Sequence, residues 1–224
     1  MTTRDHAHEP GRQGAGHGDH AGHGGHGDHA GHGGHAGHGR IERLLSDERA
    51  RSMPPDATLR LAGVTPGMMV VDLGCGPGFL TIPARHIVGP SGRVIAVDVQ
   101  PEMLDHLRGR LAAAAIDDVE VILATDEHVP VADGVADVVL CALVLHEVDD
   151  PAGFLAGCAR LAKRDGIVAV IEIHHEDVPG GPPVAHRISA PAILDLAGRA
   201  GLNRHEVVRL NEDRVLVRLG RGAD

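Results

Sequence analysis

The residues that most clearly indicate a ligand-binding site are three glycines that follow the apolar run MMVVDL. Gly74, Gly76 and Gly78 occupy alternate positions, and Asp72 precedes them. Glycine lets the backbone approach a ligand closely and adopt dihedral angles that other residues avoid. Loops that bind a dinucleotide pyrophosphate have the spacing G-x-G-x-x-G, and the carboxylate of Asp72 would repel such an anion. The loop therefore favours a ligand with a positively charged group.

Two further acidic residues follow the next two apolar runs. Asp98 comes about twenty residues after the glycines, where a carboxylate accepts hydrogen bonds from ribose hydroxyls in nucleotide-binding folds. Asp126, or the backbone beside it, could accept a hydrogen bond from the exocyclic amine of adenine. Together these residues indicate a ligand that combines a nucleoside with a positively charged group. We therefore predict S-adenosylmethionine as the cofactor. Taken singly, the glycines could instead form a simple turn, and each aspartate could cap a helix.

A second group of polar residues follows the fourth and fifth predicted strands. His146, in LHEVDD, could remove a proton from a methyl acceptor, or could hydrogen-bond a loop backbone. Glu172 and His174 share one strand face, so they could contact the acceptor, hold a divalent metal or be solvated. Arg187 could bind an anionic acceptor or pair with an acid. We predict His146 and Glu172 as catalytic residues, and His174 and Arg187 as substrate-binding residues.

Apolar runs between Gly, Pro and Asp indicate the helices and strands that would position these residues. Residues 41–63 predict one or two short helices across the substrate entrance, interrupted at Pro54 and Pro55. Strands are predicted over 68–73, 94–97, 119–123, 136–143, 167–173, 204–210 and 214–219. Helices are predicted over 79–88, 101–115, 150–161 and 190–200.

The alternation of strands and helices predicts an α/β fold, with a Rossmann-like, mostly parallel seven-stranded sheet and helices on both faces. The last two strands are joined by residues 211–213 alone, so we expect a hairpin whose last strand is antiparallel. The polar residues named above follow strand carboxyl ends, which is where open α/β sheets bind ligands.

The composition argues against several kinds of partner. The formal net charge is −10, and Phe79 and Phe154 are the only aromatic residues, which disfavours both nucleic acid and a membrane interface. Cys75, Cys141 and Cys158 are odd in number and far apart, which favours reduced thiols. No apolar run is long enough for a membrane span or a secretory signal. We therefore expect a soluble, cytoplasmic protein with a small-molecule partner, and the oligomeric state stays open.

The first 39 residues are rich in Gly and His, and we predict a disordered tail over 1–39 and a folded domain over 40–224. From His17 to His38 every third residue is histidine, and extended chain would separate successive histidines by about 9 Å, too far to share one ion. The glycines let the chain fold back, so the tail could bind Ni, Cu or Zn, or could be a neutral repeat. The predicted metal ligands are His17, His20, His23, His26, His29, His32, His35 and His38.

Several of these motifs resemble those of a known family. VVDLGCGPGF, VIAVDVQPEML and ARLAKRDGIVAVIEIH resemble class I S-adenosylmethionine-dependent methyltransferases, in the ubiquinone/menaquinone-biosynthesis-like branch, methyltransferase type 11. The resemblance covers about residues 50–219, and it departs at 163–166, where Lys-Arg-Asp-Gly replaces the usual Lys-Pro-Gly-Gly of a turn. It implies a cofactor site formed by Asp72, Gly74, Cys75, Gly76, Gly78, Asp98, Val99, Met103, Asp126, Glu127 and Leu143.

The sequence thus predicts an S-adenosylmethionine-dependent methyltransferase that acts on a small molecule. The alternative is a metal-binding or metal-delivery protein that uses the histidine-rich tail, with the α/β domain as a non-catalytic scaffold. A nicotinamide-dependent dehydrogenase is disfavoured by the loop spacing and by Asp72, and a hydrolase by the lack of a G-x-S-x-G elbow. The resemblance does not identify the acceptor, because one fold serves many substrates.

Overall fold

The apolar runs of the sequence form the strands of one sheet in the computed structural model, which describes residues 33–173 and 187–222, with side chains from residue 39 onward. The strands are β1 (Met69–Leu73), β2 (Arg93–Asp98), β3 (Val119–Leu123), β4 (Ala136–Ala142), β5 (Ala162–Ile173), β6 (Arg204–Arg209) and β7 (Arg214–Gly220). The helices are α1 (Gly33–Leu44), α2 (Asp47–Ser52), α3 (Pro55–Leu61), α4 (Thr81–Val88), α5 (Pro101–Ala113), α6 (Pro151–Leu161) and α7 (Ala190–Arg199).

The strand order is β3-β2-β1-β4-β5-β7-β6. All neighbours pair in parallel except β7, which is antiparallel to both β5 and β6. This arrangement confirms the predicted Rossmann-like sheet with an antiparallel last strand. The chain crosses from one side of β1 to the other between β3 and β4, and ligands of open α/β sheets bind at such a switch point, beyond the strand carboxyl ends.

Alternate residues of the strands bury against helices on opposite faces of the sheet. On one face, Val71 and Leu73 belong to a core that includes α6 and α7. On the other face, Val70 packs with residues of α3 and α4, and Phe79 belongs to the same cluster. The period of two explains why the strands are apolar throughout, since both faces are covered.

The prolines divide the amino-terminal segment as predicted, and the helices there are short. Ser46 caps α2 through its side chain, and α3 begins at Pro55, which suits the first turn of a helix. Helix α1 begins at Gly33, so residues 33–39, which the sequence assigned to the tail, are helical. Buried Ile41 attaches the end of this helix to the domain.

Strand β5 starts five residues earlier than the predicted 167, and the turn predicted over 163–166 is wrong. Ala162 pairs with Ala136 and Ile167 with Val138, so the extra residues form an irregularity within the ladder. The amine of Lys163 donates to Asp137 at 2.6 Å, which stabilises the extended conformation. A side chain at Gly166 would lie 2.8 Å from the Ala136 carbonyl oxygen, so the bulge requires a glycine there.

The three cysteines are all buried and unpaired, in agreement with the expected reduced thiols. Burial raises the pKa of each thiol, that of Cys158 to about 12. Across residues 33–173 and 187–222, no helix combines the length and apolar character that crossing a bilayer requires.

Candidate functional site

The glycine loop leaves β1 in a conformation that only glycine adopts readily. Gly74, Gly76 and Gly78 have φ of 69°, 54° and 84°. The backbone N–H groups of Gly74 and Cys75 donate to the Val97 carbonyl oxygen at 2.8 and 3.0 Å, which fixes the loop to the end of β2. The loop is therefore held against the end of β2, with open space beside Gly76.

Replacing Gly74 with alanine is expected to destabilise the fold by about 1–3 kcal/mol more than replacing Gly76. Both changes place a Cβ on backbone with positive φ, which costs about 1–2 kcal/mol. Only the Cβ at Gly74 meets Val144, 3.0 Å from Cγ1 and closer to Cγ2, whereas no heavy atom lies within 4 Å at Gly76. Urea unfolding of the two variants measures the difference, and equal losses of stability would contradict the predicted clash.

Asp98 ties the glycine loop to the β2–α5 connection. Its Oδ2 accepts from the Gly76 N–H at 2.8 Å, and its Oδ1 accepts from the Gln100 N–H at 2.9 Å. The residue is 7% exposed, and an ionised carboxylate has about four lone-pair sites, so acceptor capacity is left for a ligand. Beside it, Val99 and Leu123 are 45% and 50% exposed although apolar, at the ends of neighbouring strands.

Asp72 is buried at the end of β1, 2% exposed. Burial raises its pKa to about 6, a hydrogen bond from the Thr81 hydroxyl at 2.7 Å lowers it, and the nearby charge of Asp98 raises it again. Arg49 of α2 also acts on Asp72 electrostatically, and its guanidinium carbon lies 4.5 Å from the centroid of the Phe79 ring. A carboxylate and a guanidinium thus flank the start of the loop.

His146 and Glu172 form a buried pair at the ends of β4 and β5. Nδ1 of His146 lies 2.7 Å from Oε2 of Glu172, and the backbone N–H of His146 donates to Oε1 at 3.3 Å. Glu172 is 1% exposed and the His146 side chain 11%. Because a carboxylate only accepts, Nδ1 carries the proton and Nε2 is left as the acceptor of the neutral ring. The pair has the arrangement of a base and its orienting acid.

We expect nuclear magnetic resonance titration to give His146 a pKa above 6.5. The hydrogen bond and charge of Glu172 raise this pKa, and burial lowers it by less. A folded-state pKa above the unfolded one means that the pair stabilises the protein fully below pH 6.5, and that this contribution is lost as the pH rises through the folded pKa. Glu172→Gln should lower the His146 pKa, and an unchanged titration would contradict the pairing.

The loops after β2 and β4 are bridged by α1. The Arg40 guanidinium donates to Oε1 of Gln100 at 3.2 Å and to the carboxylate of Glu147 at 3.4 and 3.5 Å. Leu143 leaves β4 with φ of 61°, a conformation that is uncommon for leucine, and its N–H donates to the Ile171 carbonyl oxygen at 2.8 Å. Such backbone outliers cluster at functional sites.

The other predicted site residues divide into three groups. Met103 is buried in α5, whereas Asp126 and Glu127 are exposed in the loop after β3. Arg187 is buried, 7% exposed. His174 and the tail histidines up to His32 lie outside the described residues, and the side chains of His35 and His38 are not described either. Among the residues that are described, no three His, Cys, Asp or Glu form a group that could hold a metal.

Sequence reasoning missed Arg49, Thr81 and Arg40. Arg49 and Arg40 act through contacts with distant parts of the chain, Arg49 with the ring of Phe79 and Arg40 with Gln100 and Glu147. Thr81 acts through its hydrogen bond to Asp72, nine residues away across the loop. The one signal available was that Phe79, one of two aromatic residues, directly follows the last glycine of the loop.

Comparisons with known proteins agree with this geometry. Residues 71–170 match the family model described as a methyltransferase domain. The chain is 35% identical over 112 residues to an arsenite methyltransferase of Halobacterium salinarum, which is 50% of this chain and 29% of that protein. It is 35% identical over 129 residues to the ubiquinone/menaquinone biosynthesis C-methyltransferase UbiE of Ectopseudomonas mendocina, 57% of this chain and 49% of that one. The chain thus spans less than half the length of either relative.

A solved structure gives a more extensive match. The crystal structure of a SAM-dependent methyltransferase from Aquifex aeolicus is 28% identical, with a TM-score of 0.76, and the match covers 81% of this chain and 96% of that one. The family match includes the glycine loop, Asp98 and His146. The family match therefore spans these parts of the candidate site, whereas Glu172 lies just beyond its end.

Proposed function

We propose that this chain is a class I S-adenosylmethionine-dependent methyltransferase of the UbiE-like type, and that it transfers the methyl group of S-adenosylmethionine to a small organic acceptor. The observation that carries the proposal is the connection between the glycine loop and Asp98. The loop leaves open space at Gly76, and the carboxylate that secures it keeps lone pairs for ribose hydroxyls.

The remaining residues around the loop fit the rest of the cofactor. Val99 and Leu123 expose apolar surface where an adenine ring would lie, and Asp126 and Glu127 follow the same strand end. Asp72 offers a carboxylate to a cationic group. A pyrophosphate would not fit this site, because it needs N–H donors and would instead meet the carboxylates of Asp72 and Asp98.

The proposed mechanism depends on alignment and on one proton acceptor. When bound, S-adenosylmethionine supplies a methyl group that its sulfonium centre already activates. Holding the acceptor in line is worth up to about 7–11 kcal/mol in well-oriented reactions. Nε2 of His146 would accept the proton that the acceptor loses, while Glu172 keeps Nδ1 protonated and the ring oriented. Leu143, by leaving β4 with positive φ, directs the chain toward this histidine.

The His146–Glu172 pair supports an acceptor with a removable proton, such as a phenol, an alcohol or an acidic carbon. The relative named for ubiquinone/menaquinone biosynthesis methylates carbon, according to its name. The arsenite methyltransferase relative is named for a metalloid, which binds thiolates readily. All three cysteines of this chain are buried and their pKa values are raised, so we propose an organic acceptor instead of arsenite.

The proposal is tested by calorimetric titration of the full chain with S-adenosylmethionine, S-adenosylhomocysteine and NAD. We expect saturable binding of the first two and none of NAD. Binding of NAD alone would contradict the proposal, and so would binding of none of the three. An acceptor screen with radiolabelled methyl donor should then include hydroxylated aromatic and quinol compounds, with arsenite as the competing candidate.

We place this activity in the cytoplasm as part of the same proposal, on the support of the three unpaired thiols. The metal-binding alternative gains no support from the family match or from the relatives. Titration of the full chain with Ni²⁺, followed by S-adenosylhomocysteine, would show whether the histidines of residues 1–38 bind metal independently of the cofactor.

A further inference from the structure

Two arginines at the carboxyl edge of the sheet each have a buried nitrogen without a partner. Arg214 begins β7, opposite Ile173, the last residue of β5. Arg49 lies in α2, and its guanidinium packs over the ring of Phe79. In both arginines Nε is buried and has no hydrogen-bond partner among the described residues. An unpartnered buried donor is costly, so in a native structure it indicates a ligand or water that accepts from it.

The positive charge of this arginine pair, Arg49 and Arg214, is only partly balanced. Burial and the charge of Arg214 lower the pKa of Arg49 to about 10, so its guanidinium is still charged at neutral pH. Burial also lowers the pKa of Arg214. Asp72 attracts Arg49, and Asp213 and Glu48 attract Arg214, but none of these carboxylates accepts from either Nε. An anion between the two guanidinium groups would reduce their repulsion and satisfy both donors.

Arg214 is fixed by contacts that do not use its Nε. Its Nη1 donates to the Ser52 hydroxyl at 3.0 Å, at the end of α2. The Asn211 side chain, in the turn before β7, donates to the Ser52 carbonyl oxygen and holds the same two segments together. Nε and Nη2 form the edge of a guanidinium that matches the two oxygens of a carboxylate, and the Ser52 contact does not occupy this edge. Both arginines are half-buried, so solvent reaches the pair.

The arginine pair lies toward the acceptor side of the proposed active site. In the sheet, β7 is next to β5, which carries Glu172, and four strands from β2, which carries Asp98. With a strand spacing of about 4.8 Å, β7 lies about 5 Å from β5 and about 19 Å from β2. If the ribose lies at Asp98 and the proton acceptor His146 follows β4, a group that reaches Arg214 lies beyond the base. It therefore belongs to the methyl acceptor.

We propose that Arg214 and Arg49 together bind a carboxylate group of the methyl acceptor, so that the acceptors of this chain are organic acids. The inference rests on the proposed function and names the substrate class of the same site. The carboxylate would lie between the two guanidinium groups, and the atom that receives the methyl group would lie toward His146. A neutral acceptor is disfavoured because it would leave both Nε donors unpaired.

The test compares acids with the same molecules lacking the carboxylate: 3,4-dihydroxybenzoate with catechol, and 4-hydroxycinnamate with 4-vinylphenol. Each is titrated calorimetrically into the full chain saturated with S-adenosylhomocysteine. We expect at least one acid to bind about 10- to 100-fold more tightly than its neutral counterpart, the value of a charged hydrogen-bonded contact. Arg214→Met should reduce this preference to less than about threefold and leave the affinity for S-adenosylhomocysteine unchanged.

Arg218→Met is the matched control for this variant. Arg218 lies on the same face of β7 and also has a buried, unpartnered Nε, but its Nη1 donates to Glu206 at 2.8 Å. It is four residues, or about 13 Å, farther from the carboxyl edge of the sheet. The control should retain the wild-type preference for acids. A preference lost equally in both variants would reflect the loss of any positive charge on this face, and would overturn the assignment.

Equal affinity of the wild type for each acid and its neutral counterpart would also overturn the assignment, and so would a preference that survives Arg214→Met. A parallel loss of affinity for S-adenosylhomocysteine in Arg214→Met would place this arginine at the cofactor instead. Failure of the wild type to bind S-adenosylhomocysteine would contradict the proposed function itself. Should Arg214→Met unfold, Arg214→Lys keeps the charge but not the planar donors. It should still lower the preference for acids, and an undiminished preference would contradict the carboxylate contact.

Discussion

Asp98→Ala is expected to lower the affinity for S-adenosylhomocysteine by at least about 100-fold. The change removes the acceptor of two backbone N–H groups, at Gly76 and Gln100, so that the loop loses its tether to β2. It also removes the proposed acceptor of the ribose hydroxyls. Two charged hydrogen bonds at about 1.5–3 kcal/mol each account for this loss. Calorimetric titration measures it.

Asp137→Ala is the matched control for this variant. Asp137 also ties backbone to a carboxylate, because it accepts from the Met69 N–H at 2.8 Å, but it lies near the amino end of β4, beside the amino end of β1. Its pKa is lowered because the hydrogen bonds from Lys163 and Met69 outweigh the effect of burial. At pH values above the unfolded-state pKa of Asp137, the control should therefore be less stable than the wild type. Its affinity for S-adenosylhomocysteine should be unchanged. An Asp98→Ala protein that binds as well as the control would remove Asp98 from the site.

His146→Gln is expected to reduce kcat by about 10²- to 10⁴-fold with an acceptor that must lose a proton, the range for general base catalysis. Glutamine retains hydrogen-bonding capacity but cannot take a proton. In the wild type, the base must be deprotonated, so kcat/KM should rise with pH through the raised pKa of His146, above 6.5. The variant should show a flat profile over that interval. The measurement is the initial rate of radiolabelled methyl transfer as a function of pH.

Two further variants separate chemistry from structure at this position. Glu172→Gln should shift the rising limb of the pH profile toward lower pH, since the partner that raises the pKa is lost. Glu147→Gln changes the adjacent carboxylate, which is 51% exposed and pairs with Arg40, and should shift the profile in the same direction by less, because its charge raises the His146 pKa least. If His146→Gln retains both the rate and the rising limb, His146 has only a structural role.

The sheet was predictable because its strands are apolar runs bounded by Gly, Pro and Asp, and β3 occupies the predicted residues. The elements that differ from the prediction are determined by contacts between residues far apart in the sequence. Strand β5 begins at Ala162 because its partner β4 and the Asp137–Lys163 contact hold the segment extended. Helix α1 extends into a Gly/His-rich sequence with poor helix propensity, and buried Ile41 anchors its end to the domain.

The candidate site was also predictable only where neighbouring residues determine it. Asp98 was predictable as a ligand because the glycine spacing precedes it, but its two backbone hydrogen bonds depend on how the loop folds. His146 and Glu172 are 26 residues apart, and their contact follows from the pairing of β4 with β5. Arg49 lies in the polar sequence DERARS, which by itself is typical of a solvated helix, and only the packing against Phe79 distinguishes it.

Helix α1 has a practical consequence for anyone who purifies this protein. Its backbone includes His35 and His38, and Arg40 on the same helix contacts Gln100 and Glu147 at two loops beside the glycines. A nickel resin that bound these histidines would hold the chain within two residues of Arg40, which contacts the loops after β2 and β4. Kinetic constants measured on immobilised protein should differ from those of protein eluted with imidazole and dialysed.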